Sequence, residues 1–141
     1  MKDHPYNLQR FVNAQNVVCD QICAELRAGR KRSHWMWFMF PQLRGLGVSE
    51  TSRFYDIGSR AEAEAFLGDP ELGARLVELF EIVAMQEGAS ALEIFGAPDD
   101  QKLRSCATLF GSLAGAPTVF ARVLDHYFGG VPDARTLAIL G

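Results

Sequence analysis

The 141-residue chain has little of what marks a specialised protein, and each shortage excludes a class. Cysteines number three, odd and unpatterned. Cys19 and Cys23 stand four apart, on one face of a helix, where a disulfide is geometrically poor. Reduced thiols in a cytoplasmic protein are therefore expected. No apolar run approaches the roughly 18–20 residues that cross a bilayer; the longest, Trp35 to Phe40, is far too short. The N-terminal stretch through Asn7 lacks the apolar core of an export signal. Surplus positive charge is missing too. A net charge of −3 argues against general nucleic-acid binding, which needs a sustained basic face. There is no Walker loop and no G-x-G-x-x-G fingerprint. Three scattered histidines and the cysteine pair do not make a zinc set, so neither metal nor cofactor is expected.

Strand signals are equally scarce: no Asn-Gly hairpin lies between alternating runs, and β-branched residues are sparse. Helix signals are dense. Leu8, Phe11, Val12, Gln15, Val18, Cys19, Ile22 and Leu26 keep a 3.6-residue rhythm that predicts a long helix over residues 7–28. Asn7 is its expected N-cap, and Gly29 suits the left-handed position past its end. Ser59 with Glu62, and Ser90 with Glu93, read as capping boxes of two short helices closed by Gly68 and Gly96. Further helices are expected from Asp69-Pro70 to near Gly88, from Pro98 or Asp99, from Pro117 to Gly129-Gly130, and after Asp133. The ambiguous run His34 to Phe40 is read as a helix that Ser33 caps and Pro41 ends. The fold class is all-α, a single domain over residues 1–141 of about seven or eight helices with little or no sheet.

Residues 29–47 carry most of the chemistry. Arg30, Lys31 and Arg32 lead into a run of large residues with both tryptophans of the chain, closed by Pro41-Gln42 and a glycine-rich turn. A helix apolar all round is normally interior, so this run is expected to pack in the core. Neighbouring helix residues point different ways, so one of Trp35 and Trp37 can be core while the other walls a cleft. The three cations suit a solvated helix C-terminus. The alternative is an anion site in which free N–H groups behind Ser33 join Lys31 and Arg44. Asp99, Lys102, Ser105 and Thr108 form a polar strip at three-residue spacing, either an exposed helix face or part of the same cleft. As a histidine, His34 is a candidate general base, though a histidine beside two tryptophans reads first as a hydrogen-bonded structural residue. All three cysteines read as buried apolar thiols.

The run Lys31-x-x-His34-Trp-Met-Trp-Phe-x-Phe-Pro-Gln-x-x-Gly-Leu-Gly47, followed by Ser49, Ser52 and Tyr55, resembles an uncharacterised bacterial family. It is the one numbered 1810 among domains of unknown function. Two later stretches extend the resemblance over nearly the whole chain: Ile94-Phe-Gly-x-x-Asp99-x-x-Lys102-Leu-x-Ser105, and Phe120-x-x-Val-Leu-x-x-Tyr-Phe-Gly-Gly130 with Asp133, Thr136 and Leu137. It implies a compact, mainly helical fold and no established activity. Cys106 stands where the resemblance implies serine. Some members carry the label calpastatin, but inhibitory segments of that kind are disordered and polar, unlike this capped and apolar chain.

The leading expectation is a cleft that binds a small anionic or nucleotide-like ligand. Lys31, Arg44 and Lys102 would supply charge, and Trp35 or Trp37 would stack. Gln42, Ser49, Ser52 and Tyr55 would hydrogen-bond, with His34 and Ser105 beside them. The rival is a non-enzymatic interaction or self-associating module using the C-terminal Leu137 to Leu140, with monomer and weak homodimer both open. A weaker third is a hydrolase or transferase with His34 or Tyr55 as base.

Overall fold

The structure, a computed structural model, describes residues 6–141. The start of the N-terminal stretch read above as no export signal lies outside the described residues. Among the described residues there are nine helices: α1 (Gln9–Arg27), α2 (Met36–Met39), α3 (Glu50–Phe54), α4 (Arg60–Gly68), α5 (Leu72–Met85), α6 (Ala91–Phe95), α7 (Asp99–Gly111), α8 (Val119–Phe128) and α9 (Ala134–Leu140). The all-α class holds. The helix beyond the expected seven or eight is α3, which Ser49 caps by accepting from the Ser52 N–H. Among the described residues, extended pairing is limited to one parallel bridge, Leu43 with Ile57. None of these helices is long and apolar enough to cross a membrane.

Large side chains, not backbone pairing, hold the layers together. Helix α7 packs on α8, α8 on α5, and α5 on α1 and α4, with α6 and α9 flanking α7. A chain of ring contacts runs through the core from Trp35 to Phe40, Phe80, Phe120, Phe110, Phe66 and Phe11. Their centroids lie 4.8–5.9 Å apart, mostly edge-on, the arrangement ring quadrupoles favour. Gly73 is required where α5 crosses the end of α4, because a Cβ there would lie 1.9 Å from the Leu67 carbonyl oxygen.

Three caps differ from the sequence expectation, two of them because a stronger partner is nearby. Asn7 does not cap α1; it sits at φ 52°, and Leu8 takes the N-cap position without a side-chain bond. Ser59 caps α4, but the Glu62 carboxylate does not return to the Ser59 N–H. It accepts instead from the Gly58 N–H at 3.0 Å and from Arg10 at 2.8 Å. Ser33 caps nothing, and α2 is a single turn that opens at Met36. By contrast, the capping box of Ser90 and Glu93 is complete.

What holds Ser33 is Glu25, near the end of α1 and only 7% exposed. Its carboxylate accepts from the Arg32 N–H (2.8 Å), the Ser33 N–H (3.2 Å), the Ser33 hydroxyl (2.6 Å), the Trp35 indole Nε1–H (3.0 Å) and the Gln21 amide (3.0 Å). Burial pushes this carboxyl up. Hydrogen bonds from Ser33, Trp35, Arg32 and Gln21 outweigh that and hold it down at about 2. Two more polar side chains of α1 hold the chain further along. Gln15 donates to the Phe38 carbonyl at 2.8 Å, and Arg10 donates to the carbonyls of Phe54 (2.7 Å) and Asp56 (2.8 Å).

The folded Glu25 value lies below the ordinary 4.5, so its stabilisation is complete above that pH and fades as pH falls towards 2. The shift corresponds to about 3 kcal/mol. Glu25→Gln should cost roughly that much at neutral pH. Urea denaturation across a pH series should show the gap between the two proteins closing through this acid window. A gap that stays constant through the window contradicts the assignment.

Candidate functional site

The segment pinned by α1 runs from Ser33 through α2 to Asp56 and forms one wall of a cleft. Within it, the Leu43–Ile57 bridge draws the loop together: the Arg44 N–H donates to the Ile57 carbonyl at 2.7 Å and the Ile57 N–H to the Gln42 carbonyl at 2.8 Å. Gly47 then lies so close to α3 that a Cβ would meet the Ser52 Cβ at 2.4 Å. The facing wall is α7, and the start of α9 closes one side.

Two adjoining spaces result. The outer cleft, about 330 Å³, is bordered by Gln42, Ser49 and Ser52 on the loop side, by Gln101, Lys102 and Ser105 on α7, and by Asp133 and Arg135 at α9. Leu46, Val48 and Pro98 supply its apolar surface. The inner slot, about 10 Å³ and so about the size of one water, is lined by Trp37, Tyr55, Asp56 and Lys102 among others. Gln42, Gly47, Ser52 and Lys102 border both spaces.

Behind the cleft lies a fork of charge. Asp99 receives Lys31 Nζ at 2.9 Å on one carboxylate oxygen and Lys102 Nζ at 3.4 Å on the other. The Lys31 side chain is 6% exposed and Lys102 19%. Each ammonium also lies over an indole: Lys31 is 5.3 Å from the Trp35 ring and Lys102 is 4.9 Å from the Trp37 ring. The main-chain N–H of Lys31 donates to the Ile94 carbonyl at 2.7 Å, which ties this loop to α6. The Lys31 and Lys102 regions therefore meet, with one carboxylate between them.

Trp37, Gln42, Ser49, Ser52, Tyr55, Lys102 and Ser105 thus come together around these two adjoining spaces. Four other candidates stand apart from them. Trp35 is fully buried, its indole N–H spent on Glu25. Lys31 sits behind the cleft on Asp99 rather than on a solvated helix end. Arg44 borders neither space; its side chain is 66% exposed and its Nε pairs with Asp56 at 3.2 Å. His34 is exposed and borders neither space, so the structural reading of a packed, hydrogen-bonded histidine does not hold. The proposed anion nest behind Ser33 is not formed, because Ser33 serves Glu25 and no helix starts there. Of the cysteines, Cys106 alone is buried, and burial pushes its thiol well up; Cys19 and Cys23 are half-buried and free.

Sequence reasoning missed Gln101, Asp133 and Arg135 at the cleft. Gln101 carried a usable signal: it stands four residues before Ser105, on the same face of α7, and its carbonyl accepts from the Ser105 hydroxyl at 3.1 Å. Arg135 carried none, since only the packing of α9 on α7 brings it there.

Replacing Asp99 by Asn should leave the Lys31 ammonium enclosed without a counter-charge. The expected cost is about 2 kcal/mol, below the ~3–5 kcal/mol of a fully buried pair because Asp99 keeps some water. In a double-mutant cycle read by chemical denaturation, Lys31→Met should remove most of that loss. Additive losses would show that the two groups do not interact.

The family model described as "Protein of unknown function (DUF1810)" matches residues 5–140. Among solved structures, the crystal structure of the conserved hypothetical protein Rv1873 from Mycobacterium tuberculosis is similar, with a TM-score of 0.95 and 50% sequence identity. The match covers 97% of this chain and 98% of that one. No curated protein matches this chain. The chain belongs to the DUF1810 family of proteins of unknown function.

Proposed function

We propose that the space between the Gln42–Ser52 loop and α7 binds a small anionic ligand, with Lys102 as its central contact. The observation that carries this reading is convergence. Two stretches far apart in the chain, Trp37–Tyr55 and Gln101–Ser105, supply hydrogen-bonding groups to two adjoining spaces that Lys102 borders in common.

The volume of about 330 Å³ is at the small end of ligand sites. Lys102 lies over the Trp37 ring and makes the longer of the two Asp99 contacts, which leaves N–H donors for a ligand. Arg135 on the opposite rim adds a second, planar donor set suited to an oxyanion. Ser52 is oriented for donation. The Ser49 hydroxyl accepts the Ser52 N–H at 3.1 Å and donates to the Ser52 hydroxyl at 2.9 Å, which leaves the Ser52 proton free to point into the cleft. Lys31 contributes indirectly: it neutralises much of Asp99 and so keeps that carboxylate from cancelling Lys102.

A ligand that binds only the folded state raises the unfolding midpoint in proportion to the logarithm of its concentration over Kd. In a panel of organic and inorganic anions at constant ionic strength, at least one should raise the midpoint. Lys102→Met should abolish the rise, whereas Arg44→Gln should leave it intact. No rise with any anion, or a rise that survives Lys102→Met, ends this reading.

A further inference from the structure

Resting on the anion-cleft reading, we infer that the ligand is a singly charged carboxylate bearing hydroxyl or amide groups, and not a phosphate or a nucleotide. Three independent features of the cleft select this class.

The first is the charge balance. Among the charged groups that line the cleft or belong to the Asp99 fork, Lys31, Lys102 and Arg135 stand against Asp99 and Asp133, which leaves one positive charge to be met. A monoanion completes that balance. The second charge of a phosphate dianion would lie among carboxylates with nothing to offset it. The pair of Arg44 and Asp56 beside the inner slot is neutral and changes nothing.

The second feature is the backbone. Phosphate sites rely on free N–H groups at a helix N-terminus or in a loop nest. At α7, the one helix of more than two turns that starts at this cleft, the first-turn N–H groups are largely engaged, and capping side chains take one each at α9 and α3. On α7, the N–H groups of Asp100, Gln101 and Lys102 donate to the carbonyls of Gly96 and Pro98, and Asp99 and Asp100 place their own carboxylates in the first turn. On α9, the Asp133 carboxylate takes the Thr136 N–H at 2.9 Å and the Thr136 hydroxyl at 2.6 Å. On α3, Ser49 takes the Ser52 N–H. Recognition therefore falls to side chains, and those present are two primary amides, Gln42 and Gln101, with the hydroxyls of Ser49, Ser52 and Ser105. The Gln42 amide and the Ser52 hydroxyl can donate and accept. The Ser49 and Ser105 hydroxyls, whose protons go to Ser52 and to the Gln101 carbonyl, add acceptors. Together they match a ligand that itself carries amides or hydroxyls.

The third feature is the indole. A nucleobase would need an open aromatic face, but the Trp37 ring lies under Lys102 Nζ at 4.9 Å. Trp35, the other tryptophan, is sealed in the core. The apolar surface left to the outer cleft is aliphatic: Leu46, Val48 and Pro98. Such a surface suits the carbon skeleton of a small hydrophilic acid better than a stacked ring.

The test uses the two indole N–H resonances, assigned with Trp37→Phe, in proton–nitrogen spectra of the full chain at constant ionic strength. Probes are acetate, gluconate, inorganic phosphate and adenosine monophosphate. An acid group engaging Lys102 moves its charge relative to the Trp37 ring, while Trp35, fixed on Glu25, stays as an internal control. Gluconate is expected to shift the Trp37 resonance saturably, with acetate acting more weakly at the same residues. Phosphate and the nucleotide should bind at least tenfold more weakly than gluconate, and Lys102→Met should remove the gluconate response. Phosphate or nucleotide binding as tightly as gluconate through Lys102 overturns the carboxylate assignment and leaves the anion cleft standing. If neither carboxylate moves Trp37 in a Lys102-dependent way, the carboxylate assignment fails. If the anion panel above also leaves the unfolding midpoint unmoved, the cleft reading falls with it.

Discussion

A single buried carboxylate, that of Glu25, sets the course of the chain that frames the cleft. A sharp turn leaving a helix exposes main-chain N–H groups that must find acceptors if they are covered. Here the N–H groups of Arg32 and Ser33, and the indole of a buried tryptophan, all converge on Glu25. An amide in its place would present its own N–H donors to some of these donors. Only an ionised carboxylate accepts on every side, which is why the hydrogen bonds prevail over the penalty of burial. With Trp35 anchored in this way, its ring becomes the first member of the aromatic series that continues through Phe40 and Phe80 into the centre of the core.

The other polar residues of α1 extend the same device. Glu25, Gln15 and Arg10 descend along the helix, and their partners ascend along the chain: residues 32 to 35, then Phe38, then Phe54 and Asp56. The segment is thereby laid antiparallel to α1, with Trp35, Met36, Met39, Phe40 and Leu43 turned to the core. Its polar remainder, Gln42, Ser49 and Ser52, is left facing α7. On that second wall, Asp99 links Lys31 of the pinned segment to Lys102, so the two walls are joined by charge as well as by packing. The cleft is the space this arrangement leaves open.

Local rules sufficed wherever local partners decided the outcome. The 3.6-residue rhythm marked α1, α5, α7 and α8. The Ser90–Glu93 box, the Asp133 cap and the Gly29 and Gly129 stops stand where short-range chemistry puts them. The family motif and the polar strip of α7 fall on the loop and the helix that border the cleft. Errors arose where a distant partner outbid a near one. Ser33 has the spacing of a cap, but Glu25 eight residues earlier holds it. Glu62 has the spacing of a capping box, but Arg10, 52 residues away, claims its carboxylate. Arg44 looked close to Lys31 in sequence, yet Asp56 engages it elsewhere. Nothing in a helical period reveals such competition, and the most consequential residue of all, Glu25, reads in the sequence as one more acid near a helix end.

The direct test of this account is the titration of the Glu25 carboxyl itself, followed by carbon-detected NMR together with the Trp35 indole N–H. The account predicts a midpoint at about 2, with the Trp35 resonance moving in step as its acceptor is protonated. A carboxyl titrating near 4.5, or a Trp35 resonance indifferent to it, would show that Glu25 does not hold the segment and would remove the foundation of the cleft built on it.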